Sequence, residues 1–277
     1  MPKDPYHDMP EFCNSGRKTF LECERAWLFG KRGLWKPDPT EPMDVGTYFH
    51  VLTFEPEKAA AWLAEHPQYC YKNTSKAYGY EKGDPKADFR HCHTMLAALE
   101  RQPLAMERLE GVHEKPLFGT FNGVPVRCKV DAINHPWRLF SDLKSCAALD
   151  DTVWCDTQRL PWWRLVYSDH NPQMRRIHWI EAMQYHFQMA IYRDILRQNY
   201  EGFDTSEPAI VAVTKQDPPG VMVYRFVDED KLGEALKDAY STFEKMHRML
   251  QEDDPSPVGC GVCDLCRIQP ITRCMEV

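Results

Sequence analysis

With 277 residues, 43% of them hydrophobic, the chain is long enough to bury the core of one large domain or two small ones. No run of eighteen apolar residues offers a membrane span, and a net charge of -7 excludes global attraction to nucleic acid, so contact with a polyanion needs local basic patches or a bound metal. Eleven cysteines, an odd number with four crowded near the C-terminus, point to metal ligation in place of a disulfide framework.

The N-terminus, Met1-Pro2-Lys3-Asp4, lacks the regions of a signal peptide, which places the expected location in the cytoplasm. After a Pro-rich stretch over 1–14, SGRKTFLECERAWLFGKRG (Ser15 to Gly33) carries Phe20, Cys23, Trp27 and Leu28 at helical spacing, so Cys23 is expected to face inward and pack. A second helix is expected over Met43 to Leu52 and carries His50, a residue type that on a helix is more often structural than catalytic. Residues 66–87, rich in Tyr, Lys, Gly and Asp, read as a loop that orders on binding substrate, and Arg90 to Leu109 as a helix.

Glu114 to Phe121 alternates as a strand, and Asn122-Gly123 is a two-residue hairpin signal. In VPVRCKVDAINHPWRLFSDLKS (Val124 to Ser145), period two puts Arg127, Lys129 and Asp131 on one face of a strand and Val126, Cys128 and Val130 on the other. The Asn134-His135-Pro136-Trp137 cluster is a turn, and Arg138 to Ser145 resumes as a strand with Asp142 and Lys144 on a common face. Two carboxylates about 4 Å apart repel by roughly 4 kcal/mol at an effective dielectric near 20, so both stay ionised only beside a cation. A Mg²⁺ or Mn²⁺ on Asp131, Asp142 and the Leu143 carbonyl would polarise a phosphodiester and acidify a water, with Lys144 orienting that water or neutralising the transition state. Glu114 could extend the carboxylate cluster. A hairpin with a surface ion pair and an ordinary strand-end Glu is the bland alternative.

Asp150 to His178 is rich in Trp and Arg, including Arg159, Trp162, Trp163, Arg164, Arg175 and Arg176. These side chains suit stacking on unpaired bases and contacting phosphates, or equally a helix packed on the sheet. Ile180 to Tyr200 is expected as one helix burying Met183, Phe187, Ile191 and Ile195, with Gln184, Gln188 and Tyr192 as a polar line on a neighbouring face. A hairpin over 208–214 and 221–227 follows, then a helix over Asp228 to Gln251 with an acidic N-cap. The tail holds Cys260, Cys263, Cys266 and Cys274, in which C-x2-C-x2-C matches a cubane-binding spacing and four tail cysteines could instead hold zinc.

GTYFHVLTFEPE with His50, VDAI with Asp131, SDLKS with Asp142 and Lys144, and QYHFQMAIY with Gln188 and Tyr192 together resemble the RecE-type exonucleases of the PD-(D/E)xK nuclease superfamily, over roughly residues 12–200. Val130 stands where many members have proline, and Asp142 where glutamate is commoner. The resemblance implies an α/β fold of lambda-exonuclease type, a mixed central sheet flanked by helices. It implies Asp131 and Asp142 as metal ligands, Lys144 as catalytic lysine, His50 as a ligand or its neighbour, and Gln188 and Tyr192 as a helix motif lining the site and DNA. A nuclease domain over 1–252, core about 43–227, would be followed by a cysteine-rich tail over 253–277 packing near the N-terminal helix.

LECERAWLFG around Cys23, with the C-terminal cysteines, is similar to the four-cysteine iron-sulfur nucleases of AddB and CRISPR-adaptation type, in which one early cysteine joins three late ones. That implies a 4Fe-4S cluster on Cys23 and three of the four tail cysteines Cys260, Cys263, Cys266 and Cys274, a choice the spacing leaves open, with Cys260 the first expected to be spare. The implied activity is resection of double-stranded DNA ends, 5′ to 3′, in a bacterial or phage-infected cell, by a ring-like homo-oligomer that passes single strands to an annealing protein. An endonuclease or CRISPR-adaptation-type nuclease, and a non-catalytic DNA-end-binding module with a zinc knuckle, are the alternatives.

Overall fold

The Asn122-Gly123 pair has positive φ at both positions, 50° and 81°, the requirement of a tight hairpin turn, and it joins β1 (Val112–Phe121) to β2 (Val124–Asn134). The computed structural model describes residues 6, 9–37, 40–150, 152–155 and 175–268. Arg159, Trp162, Trp163, Arg164 and Cys274 lie outside the described residues.

Strand β3 (Leu139–Cys146) completes the expected meander; β4 (Thr152–Cys155) and β5 (Arg175–His178) form a separate antiparallel pair. Arg175 and Arg176 start β5. Strands β6 (Pro208–Thr214) and β7 (Val221–Arg225) are the expected second hairpin. The main sheet has the order β1-β2-β3-β6-β7 and is antiparallel except for the parallel β3–β6 pair. This is the mixed sheet that the resemblance implies.

Helices cover both faces. One core cluster joins the sheet to α3 (Glu41–Phe54), α5 (Ala87–Glu100) and α6 (Pro103–Arg108), through Tyr48, Phe49, Phe89, Leu143 and Val211. The helix α4 (Ala59–Glu65) stacks Trp62 on that group. The other cluster joins the sheet to α1 (Asn14–Glu22), α2 (Glu24–Lys31), α8 (Tyr185–Asn199) and α9 (Glu229–Gln251), through Phe12, Phe20, Trp27, Ile191 and Phe243. This apolar cluster draws on Phe12 to Leu28 and on Leu232 to Met249, outside 43–227. Asp228 caps α9, its Oδ1 accepting from Lys231 N at 3.0 Å, as the acidic cap predicts.

Three expected helices are broken, each for a local reason. The helix over 15–33 divides at Cys23, which is extended (φ -162°, ψ 103°) and whose sulfur caps α2 by accepting from Ala26 N. The helix over 90–109 stops at Gln102, because Pro103 disfavours α geometry in the residue before it. The helix over 180–200 divides into α7 (Trp179–Ala182) and α8 at Gln184, which is left-handed (φ 55°, ψ 39°), so Met183 is 38% exposed and not part of the buried stripe. Arg138 is also left-handed and belongs to the turn, not to the strand. Residues 66–87 fold on themselves, with bridges Cys70–Pro85 and Ser75–Tyr80 and a Tyr71–Tyr80 stack at 3.6 Å.

Candidate active site

Strands β2 and β3 pair only at Ala132–Ser141, Ile133–Phe140 and Asn134–Leu139. The next pair in register would set Asp131 opposite Asp142, and like charges directly opposite are destabilising. The strands part there. The Asp131 Oδ2 accepts from Leu143 N at 2.8 Å, a side chain taking the place of a ladder carbonyl, and further along β2 the vacated edge is bonded by Phe12, whose N donates to Pro125 O at 3.0 Å. The split is therefore built from the same two carboxylates that the sequence singled out.

His50 comes from α3 and closes one side. Its Nε2 donates to the Leu143 carbonyl at 2.7 Å, while Nδ1 lies 3.6 Å from Asp131 Oδ2 and 3.8 Å from Glu114 Oε1. Glu114 reaches the same point from β1 and is held by Lys129 Nζ at 2.7 Å. His50, Glu114 and Asp131 each offer one ligand atom, all within 4.8 Å of one another, a nitrogen and oxygen donor set suited to a hard divalent cation.

Asp142 stands apart from that trio. Its Oδ1 accepts from Gln188 Nε2 at 2.6 Å, and Lys144 Nζ sits 2.5 Å from Oδ2. Of the expected ligands His50 and Asp131 stand together and Glu114 joins them, while Asp142 is engaged by Lys144 and Gln188, and the Leu143 carbonyl accepts from the imidazole with its second lone pair unused by that bond. Gln188 projects from α8 and is 6% exposed; Tyr192, one turn on, is half-buried beside it. Gln184 is not on the same helical line, its Oε1 accepting instead from the buried Arg17 Nη2 at 3.1 Å.

Charge states follow from this packing. Burial first, and then the Asp142 charge, push Asp131 up from 3.8 to about 7, against the pull of His50 and Lys144. Burial opposes ionisation of Glu114 too, but its His50 and Lys129 partners hold it down at about 2. Burial lowers Lys144, yet the Asp142 and Asp131 carboxylates outweigh it and keep the ammonium above the ordinary lysine range. Burial, and then Asp142, hold the Tyr192 phenol protonated.

Two contributors were missed from sequence. Lys18 of α1 is half-buried near Lys144, and burial followed by the Lys144 and Arg17 charges lowers it to about 8. Tyr185 lies between them, its ring centroid 5.0 Å from Lys18 Nζ and 5.7 Å from Lys144 Nζ. Arg17-Lys18 gave no motif, since a basic pair on an N-terminal helix is ordinarily a solvated face.

Far from this split, Cys23 meets Cys260, Cys263 and Cys266, with Cys23 Sγ 3.6 Å from Cys266 Sγ and 3.9 Å from Cys263 Sγ. Cys260, first expected to be spare, stands in this set, its sulfur within 4.8 Å of the other three, and its backbone N donates to the Cys23 sulfur. The N–H groups of Val262 and Cys263 hold the Cys260 thiol below its usual value, against burial. The short α10 (Asp264–Ile268) docks Leu265 beside Cys23 and Ala26.

The model of a family described as a PDDEXK-like domain of unknown function matches residues 13–269. The chain belongs to this family. A crystal structure from Eubacterium rectale, described as a "Putative exonuclease", superposes with a TM-score of 0.78 at 21% identity, covering 100% of this chain and 96% of that one. At that identity the likeness concerns the fold, which is the PDDEXK-like one built here from the split sheet. No curated protein matches the sequence. Among the described residues no helix is long and apolar enough to cross a membrane.

Proposed function

We propose that this PDDEXK-like chain is a Mg²⁺- or Mn²⁺-dependent deoxyribonuclease, an exonuclease that resects double-stranded DNA ends. The observation that carries the reading is the pairing of two sets across the β2–β3 split: His50, Glu114 and Asp131 on one side, Asp142, Lys144 and Gln188 on the other. His50, Glu114 and Asp131 would hold a divalent cation, which would supply polarisation of the phosphodiester and acidification of a water. Lys144, kept cationic by Asp142, is placed to stabilise charge gathering on the phosphate. Gln188 holds Asp142, and so fixes where the ammonium stands.

Digestion of end-labelled linear duplex and of closed circular DNA tests the reading. Loss of the linear 5′ label with Mg²⁺ and survival of the circle are expected; cutting of the circle would make the enzyme an endonuclease, and no cutting of either would leave a non-catalytic end-binding module. The 5′ to 3′ polarity, a ring-like oligomer and hand-over to an annealing protein are parts of the proposal that rest on the RecE-type resemblance. An enclosing ring would offset the weak attraction of a chain of charge -7 for DNA.

Metal affinity should depend on pH with a definite sign. Asp131 is ordinarily ionised above 3.8 but holds its proton up to about 7 when folded, so the cation must displace that proton below pH 7. Burial opposes the His50 charge, but the Asp131 charge and the Glu114 hydrogen bond outweigh it and raise this imidazole too, which must give up its own proton to ligate. With Mn²⁺ limiting, affinity is therefore expected to climb by more than tenfold per pH unit toward neutrality and then level off. The metal-free protein should show the linked effect, losing stability as pH rises from about 4 to 7. Titration calorimetry giving a pH-independent affinity between 5 and 7 would contradict the role of Asp131.

For the cysteines, the resemblance supports a 4Fe-4S cluster on Cys23 and the tail. A second reading has its own support: one zinc with bonds of about 2.3 Å sets thiolates roughly 3.8 Å apart, close to the 3.6 and 3.9 Å found here. In either case the site joins the first helical segment to the last.

A further inference from the structure

A groove of about 1060 Å³ leaves the candidate active site through the β2–β3 split, beginning at Lys144, Gln188 and Tyr192 and running between β2 and the wall formed by α1, α2 and residues 33–37. Among the described residues six cations line it, Lys18, Lys31, Lys36, Arg127, Lys129 and Lys144, and no carboxylate does. In a chain of net charge -7 that segregation selects a polyanion. Lys129 and Lys144 are paired with Glu114 and Asp142, and Arg127 Nη1 lies 3.9 Å from Glu11 Oε2, whereas Lys31 Nζ donates to the neutral Pro10 carbonyl at 3.3 Å and keeps its charge uncompensated there. The charge offered to a ligand is therefore that of Lys18, Lys31 and Lys36.

The floor supplies an independent sign of a ligand. Trp27 also lines the groove and is 3% exposed, and its indole Nε1–H has no hydrogen-bond acceptor among the described residues. An unmet buried donor costs about 1–3 kcal/mol, so an acceptor arriving along the groove would recover that energy. A Cβ on Gly16, another lining residue, would stand 3.6 Å from that nitrogen, so glycine there keeps a side chain off it. Trp35 adds a half-buried aromatic wall, packed on its far side against the Cys23 and Leu265 cluster.

We propose that this groove binds one unpaired nucleic-acid strand continuous with the strand in the active site, with Lys18, Lys31, Lys36 and Trp27 Nε1–H on its phosphates and Trp35 stacking a base. A cationic trough with an aromatic wall is the usual means of holding single strands, because the unpaired backbone reaches the floor and every base has a face to stack. A paired strand cannot, since its partner keeps the duplex out of a trough whose floor is a buried indole. The proposal rests on the nuclease reading for its direction, but its test does not.

Fluorescence anisotropy of the full chain in EDTA, without turnover, would compare a labelled single-stranded oligothymidylate with a blunt duplex. The double variant Lys31→Glu/Lys36→Glu changes exposed side chains, and Lys76→Glu makes the same kind of change outside the groove. The double variant is expected to weaken single-strand binding tenfold or more, to leave duplex binding within about threefold, and to flatten the salt dependence by about 1.4 in log-log slope, at ~0.7 per phosphate contact. Trp27→Phe, which keeps the ring and removes the donor, should weaken the single strand alone; Lys76→Glu should bind as wild type. Equal losses on single strand and duplex, or wild-type binding by the double variant, would overturn the proposal. A chain that binds single strands in this way but cuts no DNA would defeat the nuclease reading and leave the groove standing.

Discussion

Lys144→Ala is expected to lower Mg²⁺-dependent cleavage by about 10³-fold, the scale of losing one charge-stabilising donor, while binding of duplex ends changes only a few-fold. The ammonium sits 2.5 Å from Asp142 Oδ2 in a carboxylate that is 1% exposed, so the substitution also leaves a buried charge poorly compensated. That cost, about 3–5 kcal/mol for breaking a buried pair, must be separated from lost chemistry. Lys144→Arg makes the separation: it keeps the positive charge and the fold, but a planar guanidinium cannot occupy the place of a compact ammonium. Both variants should therefore cleave slowly, with only the alanine variant melting early. Near-wild-type cleavage by Lys144→Ala would sink the assignment of this side chain.

Local signals in the sequence led to the five strands of the main sheet but not to β4 and β5, and the two-residue alternation around Asp131 and Asp142 located the candidate site. What it could not convey was the splitting of β2 from β3, because register between strands depends on both chains and on what the side chains there repel. The same holds for Glu114: its left-handed φ of 49° and its bond to Lys129 arise from a neighbour in space, whereas in sequence it is one acidic residue at a strand start. Helix breaks at Cys23 and Gln184 were hidden for another reason. Apolar spacing continues through both, and the departures follow from tertiary bonds, the Cys23 sulfur to Ala26 N and Gln184 to Arg17. Lys18 was invisible because its role depends on lying beside Lys144, 126 positions away in number and adjacent only in the fold.

Cys23→Ser is expected to strip the bound metal and to lower the thermal midpoint by 10 °C or more. Metal–thiolate sites contribute on the order of 10 kcal/mol to folding, and in a domain of this size each kcal/mol moves the midpoint by about 2–4 °C. Residues 252–268 have little else to hold them: within α10 only Leu265 is buried, at 3% exposure, and Arg25 N to Val258 O at 3.2 Å is among the few backbone bonds to the rest. The strain of losing the staple should reach the groove as well, since Trp35 packs against the Cys23 cluster on one side and lines the trough on the other. Single-strand affinity and melting point should then fall together in Cys23→Ser. Metal analysis of anaerobically purified wild type separates the two readings of the site: iron with visible thiolate-to-iron absorption identifies the cluster, and one zinc per colourless chain identifies the single ion. Metal content and stability both unchanged in Cys23→Ser would confine ligation to the tail and end the role of Cys23 as a bridge between the two ends of the fold.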